Sequence, residues 1–364
     1  MENNLKLPQF LKLDTSLFDF EFQNKPSKQD KAFFESLQPY KNKENTLVLY
    51  NGKVISNKIH AEIETELSAA KTYRQQPTDK KLQNINKEHL NSFLKISFKQ
   101  NAQENIFVVN AFDGQFAHAN FYQLGENSNV KILEKVICSK SSKLNHFTDI
   151  NMEDYSHFDY VCFENLTNDH TNVFGHEACV KQNGELDLTY LNLNNGKVLH
   201  ATNAYAEGFE SKLKIETVTF ANNHDVFASN INAQHLNKQT NSLIHNIAVV
   251  NDFAYVNIDG VNKIENGNSK SNAEQETKII NLKESANSVA NPQLIINEYD
   301  VKAGHAAAVG KIDEDQLFYL QSRGLTKVLA TEILLMAYVN EILDKVDNEE
   351  EKALITKIIK AKIN

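Results

Sequence analysis

Alternating apolar and polar positions dominate the chain from about Glu104 to Asp300. Runs such as Leu186–Tyr190 (LDLTY) and Phe253–Ile258 (FAYVNI) have the period of two that is typical of strands with one buried face. Polar turns are predicted by the Asn-Gly and Asp-Gly pairs at residues 183–184, 195–196, 259–260 and 266–267. Because no helix-length pattern separates these runs, the sequence indicates an all-β unit and disfavours a doubly wound α/β fold.

Two all-β folds fit this pattern. A sandwich would pair neighbouring strands as hairpins, whereas a parallel β-helix would stack strands from successive coils with their polar turns in register. Strands around Leu188, Ile215, Asn246 and Ile280 recur, unevenly, on the scale of a coil of about 20 residues. No strict coil motif is present, so the pattern alone leaves both folds open.

Helical patterns flank the β unit on both sides. On its N-terminal side, Ile59–Tyr73 and Lys87–Phe98 carry apolar residues at helical spacing. On its C-terminal side the pattern is helical to the end of the sequence. We therefore divide the chain into a mixed, partly helical region (residues 1–101), a β core (residues 102–312) and a C-terminal helical domain (residues 313–364).

Local signals define the helices of the C-terminal domain. Asp313 and Gln316 form a capping box that begins a first helix. This helix is predicted to end at Gly324, because glycine readily adopts the left-handed conformation that follows a helix. Thr326 caps a second helix, and a third amphipathic helix covers residues 350–363.

Composition narrows the class of protein. The net charge of −9 argues against a nucleic-acid partner, and no apolar segment reaches the roughly 20 residues that span a bilayer. The first ten residues lack the apolar segment of a signal peptide. The three cysteines, Cys138, Cys162 and Cys179, are typical of reduced thiols and not of a disulfide framework. Together these features predict a soluble cytoplasmic protein.

Specific catalytic motifs are absent from the sequence: it contains no phosphate-binding GxxxxGK[ST], no GxSxG and no HExxH. Cys162, His170, His176 and Cys179 offer the number of ligands that a structural zinc site needs. Their spacing matches no zinc finger or ribbon, so the residues alone favour two buried strand cysteines and two loop histidines.

Three further histidines could have either a functional or a structural role. His224, next to Asp225, and His245 both fall in strand-like stretches, and we interpret them as satisfied polar residues and not as general bases. His305 is flanked by small residues, which would let a partner or an iron centre approach its imidazole. The residues alone still favour a structural role for His305 in a turn.

Three consecutive segments resemble the C-terminal signature of the SufB/SufD family. They are Asn291–Leu294 (NPQL), Tyr299–Ala307 (YDVKAGHAA) and Val309–Gly324 (VGKIDEDQLFYLQSRG). Residues 260–265 and 271–276 resemble the final coils of the family, and the likeness fades before about Asn241. The resemblance implies a mainly β fold, a right-handed parallel β-helix core flanked by helical N-terminal and C-terminal regions.

The same resemblance implies a function and partners. Members of this family are non-catalytic scaffold subunits of the SufBCD iron–sulfur cluster assembly complex. A SufD-type chain would pair with SufB through its β-helix and dock the SufC ATPase, which binds ATP, through its C-terminal helices. The predicted docking residues are Asp313, Gln316, Leu317, Tyr319, Leu320, Arg323, Gly324, Leu335 and Tyr338. A homodimer acting apart from SufB and a β-helix enzyme active on polysaccharides are the alternatives.

The resemblance is to the SufD type, because the chain has no cysteine beyond Cys179 that would match the cluster-assembly cysteine of SufB. His305 falls on the position of a histidine near the SufB interface, and Ala303 stands where some relatives have cysteine. We therefore expect no cofactor bound stably by this chain alone. A transient cluster or iron ion at the SufB interface would take an imidazole from His305 and thiolates from SufB.

Overall fold

The computed structural model describes residues 14–21, 30–68, 70, 80–140, 142–167 and 170–363. Its strands form two sheets. Sheet I contains β1 (Thr46–Tyr50), β2 (Lys53–Asn57), β5 (Gln103–Phe112), β7 (Asn129–Cys138), β9 (His157–Asn165), β11 (Glu185–Asn192), β13 (Lys212–Ala221), β15 (Asn241–Val250), β17 (Asn272–Asn281) and β19 (Lys302–Lys311). Sheet II contains β3 (Glu62–Glu64), β4 (Leu90–Phe98), β6 (Gln115–Leu124), β8 (Lys143–Met152), β10 (Thr171–Val180), β12 (Lys197–Ala206), β14 (Val226–His235), β16 (Tyr255–Ile264) and β18 (Asn287–Ile296).

From β4 onward, successive strands alternate between the two sheets, and each pairs in parallel with the strand two places away. The chain therefore winds as a parallel β-solenoid of about eight turns, which confirms the β-helix and excludes the sandwich. Thr171 pairs with Lys197, 26 residues later, and Asn241 pairs with Asn272, 31 residues later. A coil is longer than the predicted repeat because it contains two strands of about ten residues and two turns.

Two predicted N-terminal helices are wrong. The described part of Ile59–Tyr73 contains β3, and residues 69 and 71–73 lie outside the described part of the chain. In the second segment, α2 (Lys80–His89) ends where β4 begins. Parallel pairing of β4 with β6 overrides the local helical spacing. The predicted domain boundary at residue 102 cuts through both sheets, because β1 and β4, which precede it, pair in parallel with β5 and β6, which follow it.

Three of the four predicted turns are confirmed by backbone conformation: Asn183, Gly196 and Gly267 have φ of 51°, 80° and 92°. The fourth, at Gly260, is wrong because this residue lies inside β16. A Cβ atom at Gly260 would lie 2.6 Å from Oε1 of Gln275. Glycine lets the Gln275 side chain lie directly against the backbone of β16, so its role here is close packing and not a turn.

The interior of the solenoid is lined by every second residue of each strand. Phe158, Tyr160 and Cys162 on β9 point into this interior and are buried, whereas Val161 and Phe163 belong to a second apolar cluster on the outer face of sheet I. Alternation along a strand therefore decides which of two cores a side chain joins.

Helices cover the outer face of sheet I at both ends of the chain. The short α1 (Lys31–Glu35) places Phe34 edge-on against Tyr50 of β1, with the two ring centroids 4.9 Å apart. The other helices are α3 (Glu314–Ser322), α4 (Lys327–Leu343) and α5 (Glu349–Ile363). Apolar residues of α4 and α5 join the outer cluster of sheet I, so this face forms the platform for the C-terminal helices. Among the described helices, none is long and apolar enough to cross a membrane.

The predicted capping roles of Asp313, Gly324 and Thr326 are confirmed, whereas the return contact of the Gln316 side chain stays a prediction. The Asp313 side chain accepts hydrogen bonds from the backbone N–H groups of Asp315 and Gln316, each at 3.0 Å. Gly324 follows α3 with φ of 91°, and Thr326 accepts from the N–H of Leu329 at 3.3 Å. Local sequence signals thus define these helix ends.

Partly and fully buried ion pairs fix the C-terminal helices on the solenoid. Lys345, after α4, contacts Asp187 at 2.6 Å and also pairs with Glu216. Lys135 on β7 and Glu351 on α5 form a salt bridge of 2.7 Å in which both side chains are 4% exposed. Breaking a buried pair leaves an uncompensated charge, so these contacts hold α4 and α5 in one position on sheet I.

Candidate functional site

The C-terminal end of the solenoid is open. Among the described residues, β19 pairs only with β17 and β18 only with β16, so each strand has one free edge. All ten residues of β19 are exposed, and Tyr299, between the two strands, is fully exposed. Free edges present unpaired backbone groups that attract another strand, and native proteins normally cover them.

The backbone of this end can be assigned residue by residue. The N–H of Lys302 donates to the carbonyl of Ser271, the residue before β17, at 3.0 Å. Since successive N–H groups of a strand point to opposite sides, residues 303, 305, 307 and 309 direct theirs to the free edge. In β18 the N–H of Asn287 donates inward to Ala254 at 3.0 Å, which places Pro292 at an outward position. Because proline has no backbone N–H, the free edge of β18 lacks one hydrogen-bond donor. The free edge of β19 therefore has the more complete row of donors.

His305 lies on the interior side of this open end. It pairs in register with Gln275, whose side chain is buried inside the solenoid and donates to the carbonyl of Gln293 at 2.9 Å. No later coil covers His305, so it is exposed in a strand and not in the predicted turn. All three cysteines are buried in earlier coils. The open end therefore offers one imidazole, and a metal centre here would need ligands from another chain.

A second exposed surface lies on α3 and the start of α4. Phe318, Tyr319 and Val328 are 73%, 56% and 58% exposed, and Leu329 and Ile333 are each 42% exposed. Sequence reasoning included Tyr319 but missed the other four, because exposed apolar residues on a helix have the same spacing as a core-facing stripe.

The other predicted docking residues differ in how exposed they are and in what they contact. Leu317 and Leu335 are 7% and 0% exposed, so their side chains hold the helices in place. Arg323 lies 5.1 Å from the ring centre of Tyr319, and Tyr338 lies beneath the ammonium group of Lys278 at 3.6 Å. Asp313 and Gly324 define the ends of α3, while Gln316 is exposed and Leu320 half-buried. Their roles in partner binding stay predictions.

A polar network occupies the solenoid interior around Glu134, which is fully buried on β7. Its carboxylate accepts four hydrogen bonds, from Asn110 (2.7 Å), Asn120 (2.8 Å), Tyr122 (2.6 Å) and Tyr160 (2.7 Å). Burial by itself raises the pKa of Glu134, but His146 and the two hydroxyls outweigh it and lower the pKa from 4.5 to about 2. Glu134 is therefore ionised inside the core.

Cys162, His170, His176 and Cys179 do not form one metal site, and both cysteines are buried in strands, as the sequence favoured. The interpretation of both histidines as loop residues is wrong for His176, which is buried in β10. Cys162 and His176 face the interior, whereas Cys179, an odd number of residues after His176 on β10, faces outward. His170 is exposed before β10 begins. His176 instead meets Glu164 on β9 and His200 on β12, and ligand atoms of all three lie within 4.8 Å of one another.

The other two histidines have structural positions. His224 lies in the turn between β13 and β14 and not in a strand, and its ring stacks on Phe253 with centroids 5.3 Å apart. Asp225 accepts from the N–H of Gly196 at 2.7 Å, which links two successive coils. His245 is partly exposed on the outer face of sheet I, 3.6 Å from Glu216. These contacts account for all three side chains.

Comparison with known proteins identifies the family to which a chain with this fold is similar. The family model described as "SUF system FeS cluster assembly, SufBD core domain" matches residues 107–338. The chain is 29% identical over 244 residues to the iron–sulfur cluster assembly protein SufD of Bacillus subtilis, covering 65% of this chain and 55% of that protein. It is 25% identical over 233 residues to SufD of Escherichia coli, covering 62% and 54% of the two chains.

A third relative is protein ABCI7, chloroplastic, of Arabidopsis thaliana, which is 33% identical over 107 residues, 29% of this chain and 22% of that protein. The chain spans about half the length of the two SufD proteins it matches. Since the family model covers well over half of the sequence and the whole open end of the solenoid, the chain belongs to the SufB/SufD family and is SufD-like.

Proposed function

We propose that this chain is a non-catalytic scaffold subunit of an iron–sulfur cluster assembly complex, in which its open solenoid end pairs with SufB and its C-terminal helices dock SufC. The observation that carries the proposal is the exposed final strand, β19, in a member of this family. A solenoid whose last coil is uncovered has the geometry for adding a strand from a second solenoid. The names of the relatives support iron–sulfur cluster assembly as the process.

Two separate surfaces suit two partners. The β19 edge offers backbone hydrogen bonds, which favour another strand. The surface of Phe318, Tyr319 and Val328 on α3 and α4 offers apolar side chains, which favour a groove on a folded partner such as an ATPase subunit. Because the two surfaces belong to different elements, one can be altered while the other stays intact.

Replacing Ala307 with proline is expected to weaken SufB binding about tenfold or more, because it removes an edge-facing N–H and places a ring against the incoming strand. The bond between β19 and β17 does not use this N–H, so folding should survive. Dissociation constants measured by calorimetry against purified SufB and SufC homologues test this. SufC binding should not change.

Two matched variants serve as controls for this result. Ala307→Ser keeps the N–H and should bind SufB nearly as well as the native chain. Phe318→Ser, in which an exposed ring on α3 is removed, should weaken SufC binding and leave SufB binding intact. Equal SufB affinity for Ala307→Pro and the native chain would argue against the proposed edge pairing.

His305→Ala is expected to leave both partners bound and to lower cluster assembly on the complex roughly tenfold, the scale on which a single metal-site residue acts. The reason is that His305 offers the imidazole at the open end. Assembly is measured by reconstituting the complex with iron and sulfide and recording cluster absorption and iron content. His170→Ala, another exposed histidine outside the open end, should assemble clusters normally. If both variants do so, His305 has no role as a ligand.

A further inference from the structure

The most unusual group of side chains in the interior consists of Glu164, His176 and His200. They come from β9, β10 and β12, and they are 0%, 2% and 2% exposed. All three point into the space between the sheets, at the middle of the solenoid and far along the chain from β19. Ligand atoms of the three residues lie within 4.8 Å of one another.

Several atoms of these side chains lack the hydrogen bonds that buried polar groups require. Oε1 of Glu164, both ring nitrogens of His176 and Nε2 of His200 have no hydrogen-bond partner. The contrast is Glu134, whose two carboxylate oxygens each accept two hydrogen bonds in the same interior. Since nearly all buried polar groups in native proteins are satisfied, unpaired atoms from three neighbouring residues indicate a missing binding partner.

One of the separations fits a metal ion as that partner directly, and His176 lies within the 4.8 Å that encloses all three ligand atoms. Oε1 of Glu164 and Nε2 of His200 lie 3.4 Å apart, which is long for a hydrogen bond. Two ligand atoms held at about 2.0–2.1 Å by one tetrahedral ion lie about 3.3 Å apart. The other oxygen of Glu164 accepts a hydrogen bond from Asn194 at 2.9 Å. This contact orients the carboxylate and leaves Oε1 directed at the two imidazoles, as an outer-shell residue does in metal sites.

The imidazole rings of His176 and His200 lie side by side, with their centroids 4.8 Å apart. The ring of Tyr190 packs against His176 and His200, with centroids 4.2 and 4.8 Å away. Aromatic rings therefore form part of the wall of the site.

We infer that Glu164, His176 and His200 form a buried site for one divalent transition-metal ion of the zinc or iron(II) class. Two imidazoles and one carboxylate are the ligand set that such ions share. This chain encloses the site by itself, so the inference does not rest on the proposed function or on any partner. Because the ligands are buried, the ion enters as the coils close during folding and then stabilises them.

The test is the metal content of the full chain purified from cells grown with added zinc, and from cells grown without oxygen with added iron(II). We expect about one ion per native chain in one of these media, measured by plasma mass spectrometry. Growth with cobalt should give the visible absorption of a tetrahedral Co²⁺ centre. A native chain that contains less than about one ion per ten chains from both media would overturn the inference.

Two variants locate the ion. Glu164→Gln keeps the shape of the side chain and should lower the metal content about tenfold or more, together with the metal-dependent part of the melting temperature. His200→Gln should do the same. Glu134→Gln changes an equally buried carboxylate near a histidine and should retain the metal. Native metal content in Glu164→Gln, or a variant at least as stable as the native protein, would contradict the site.

Discussion

Replacing Glu134 with glutamine is expected to lower the free energy of unfolding by about 3 kcal/mol, although the two side chains have nearly the same shape. Both oxygens of Glu134 accept two hydrogen bonds each, and all four donors are buried. A glutamine must turn its NH₂ group towards one pair of donors. Those donors then lose an acceptor inside the core, where water cannot replace it.

The dependence of this effect on pH identifies the charge as its origin. The folded-state pKa of Glu134 is about 2, below the ordinary 4.5. A depressed pKa means that the ionised carboxylate stabilises the folded state above pH 4.5, and that this contribution disappears as the pH falls towards 2. The shift corresponds to about 3 kcal/mol. The native protein and Glu134→Gln should therefore converge in stability as the pH falls.

Urea unfolding at several pH values measures both effects. Glu126→Gln is the control, because Glu126 is exposed on a turn and bonds only weakly to Gln100, at 3.3 Å. This substitution should change the unfolding free energy by less than about 0.5 kcal/mol at every pH. A difference between Glu134→Gln and the native protein that stays constant down to pH 2 would show that shape, and not charge, is responsible.

Local signals in the sequence were sufficient for the C-terminal helices but not for the solenoid. Asp313, Gly324 and Thr326 act on backbone groups within a few residues of themselves, so their roles can be predicted without knowing the fold. In residues 90–98 the spacing of Leu90, Phe93 and Leu94 fits a helix, and only pairing with β6 makes this segment a strand. That pairing joins residues more than twenty positions apart, and no local pattern encodes it.

The residues of the interior site could not be grouped from the sequence either, although one local signal would have helped. His176 was a candidate from the sequence, but its true neighbours come from other strands of the solenoid, and the length of the coils decides which residues meet. The alternation of side chains along a strand could have excluded Cys179 as a fellow ligand of His176. The two residues are an odd number of positions apart, so their side chains lie on opposite faces of β10. The resemblance to a family identified the fold that the pattern left open.

Gly208 is the position where a single methyl group should do the greatest damage to the stacking of coils. It lies in the turn between β12 and β13, directly over the preceding turn, and its N–H donates to the carbonyl of Val180 at 3.0 Å. A Cβ atom at Gly208 would lie 1.9 Å from the backbone nitrogen of Gln182 and 2.1 Å from the carbonyl carbon of Lys181. Backbone atoms cannot rotate away as side chains can, so the two coils must separate.

We therefore expect Gly208→Ala to lower the free energy of unfolding by about 3 kcal/mol or more, at the upper end of the range for overpacking. Gly125→Ala should cost less, since its Cβ would lie 2.5 Å from the backbone nitrogen of Gln100. Gly304→Ala is the control, because its Cβ would meet no atom within 4 Å. Thermal and urea unfolding should rank the three variants in this order.

In a solenoid each coil is held by its neighbours, so a gap at one turn weakens the stack on both sides. Equal stability of Gly208→Ala and Gly304→Ala would mean that the turns can move apart freely, and the close stacking of coils would not be what holds the fold.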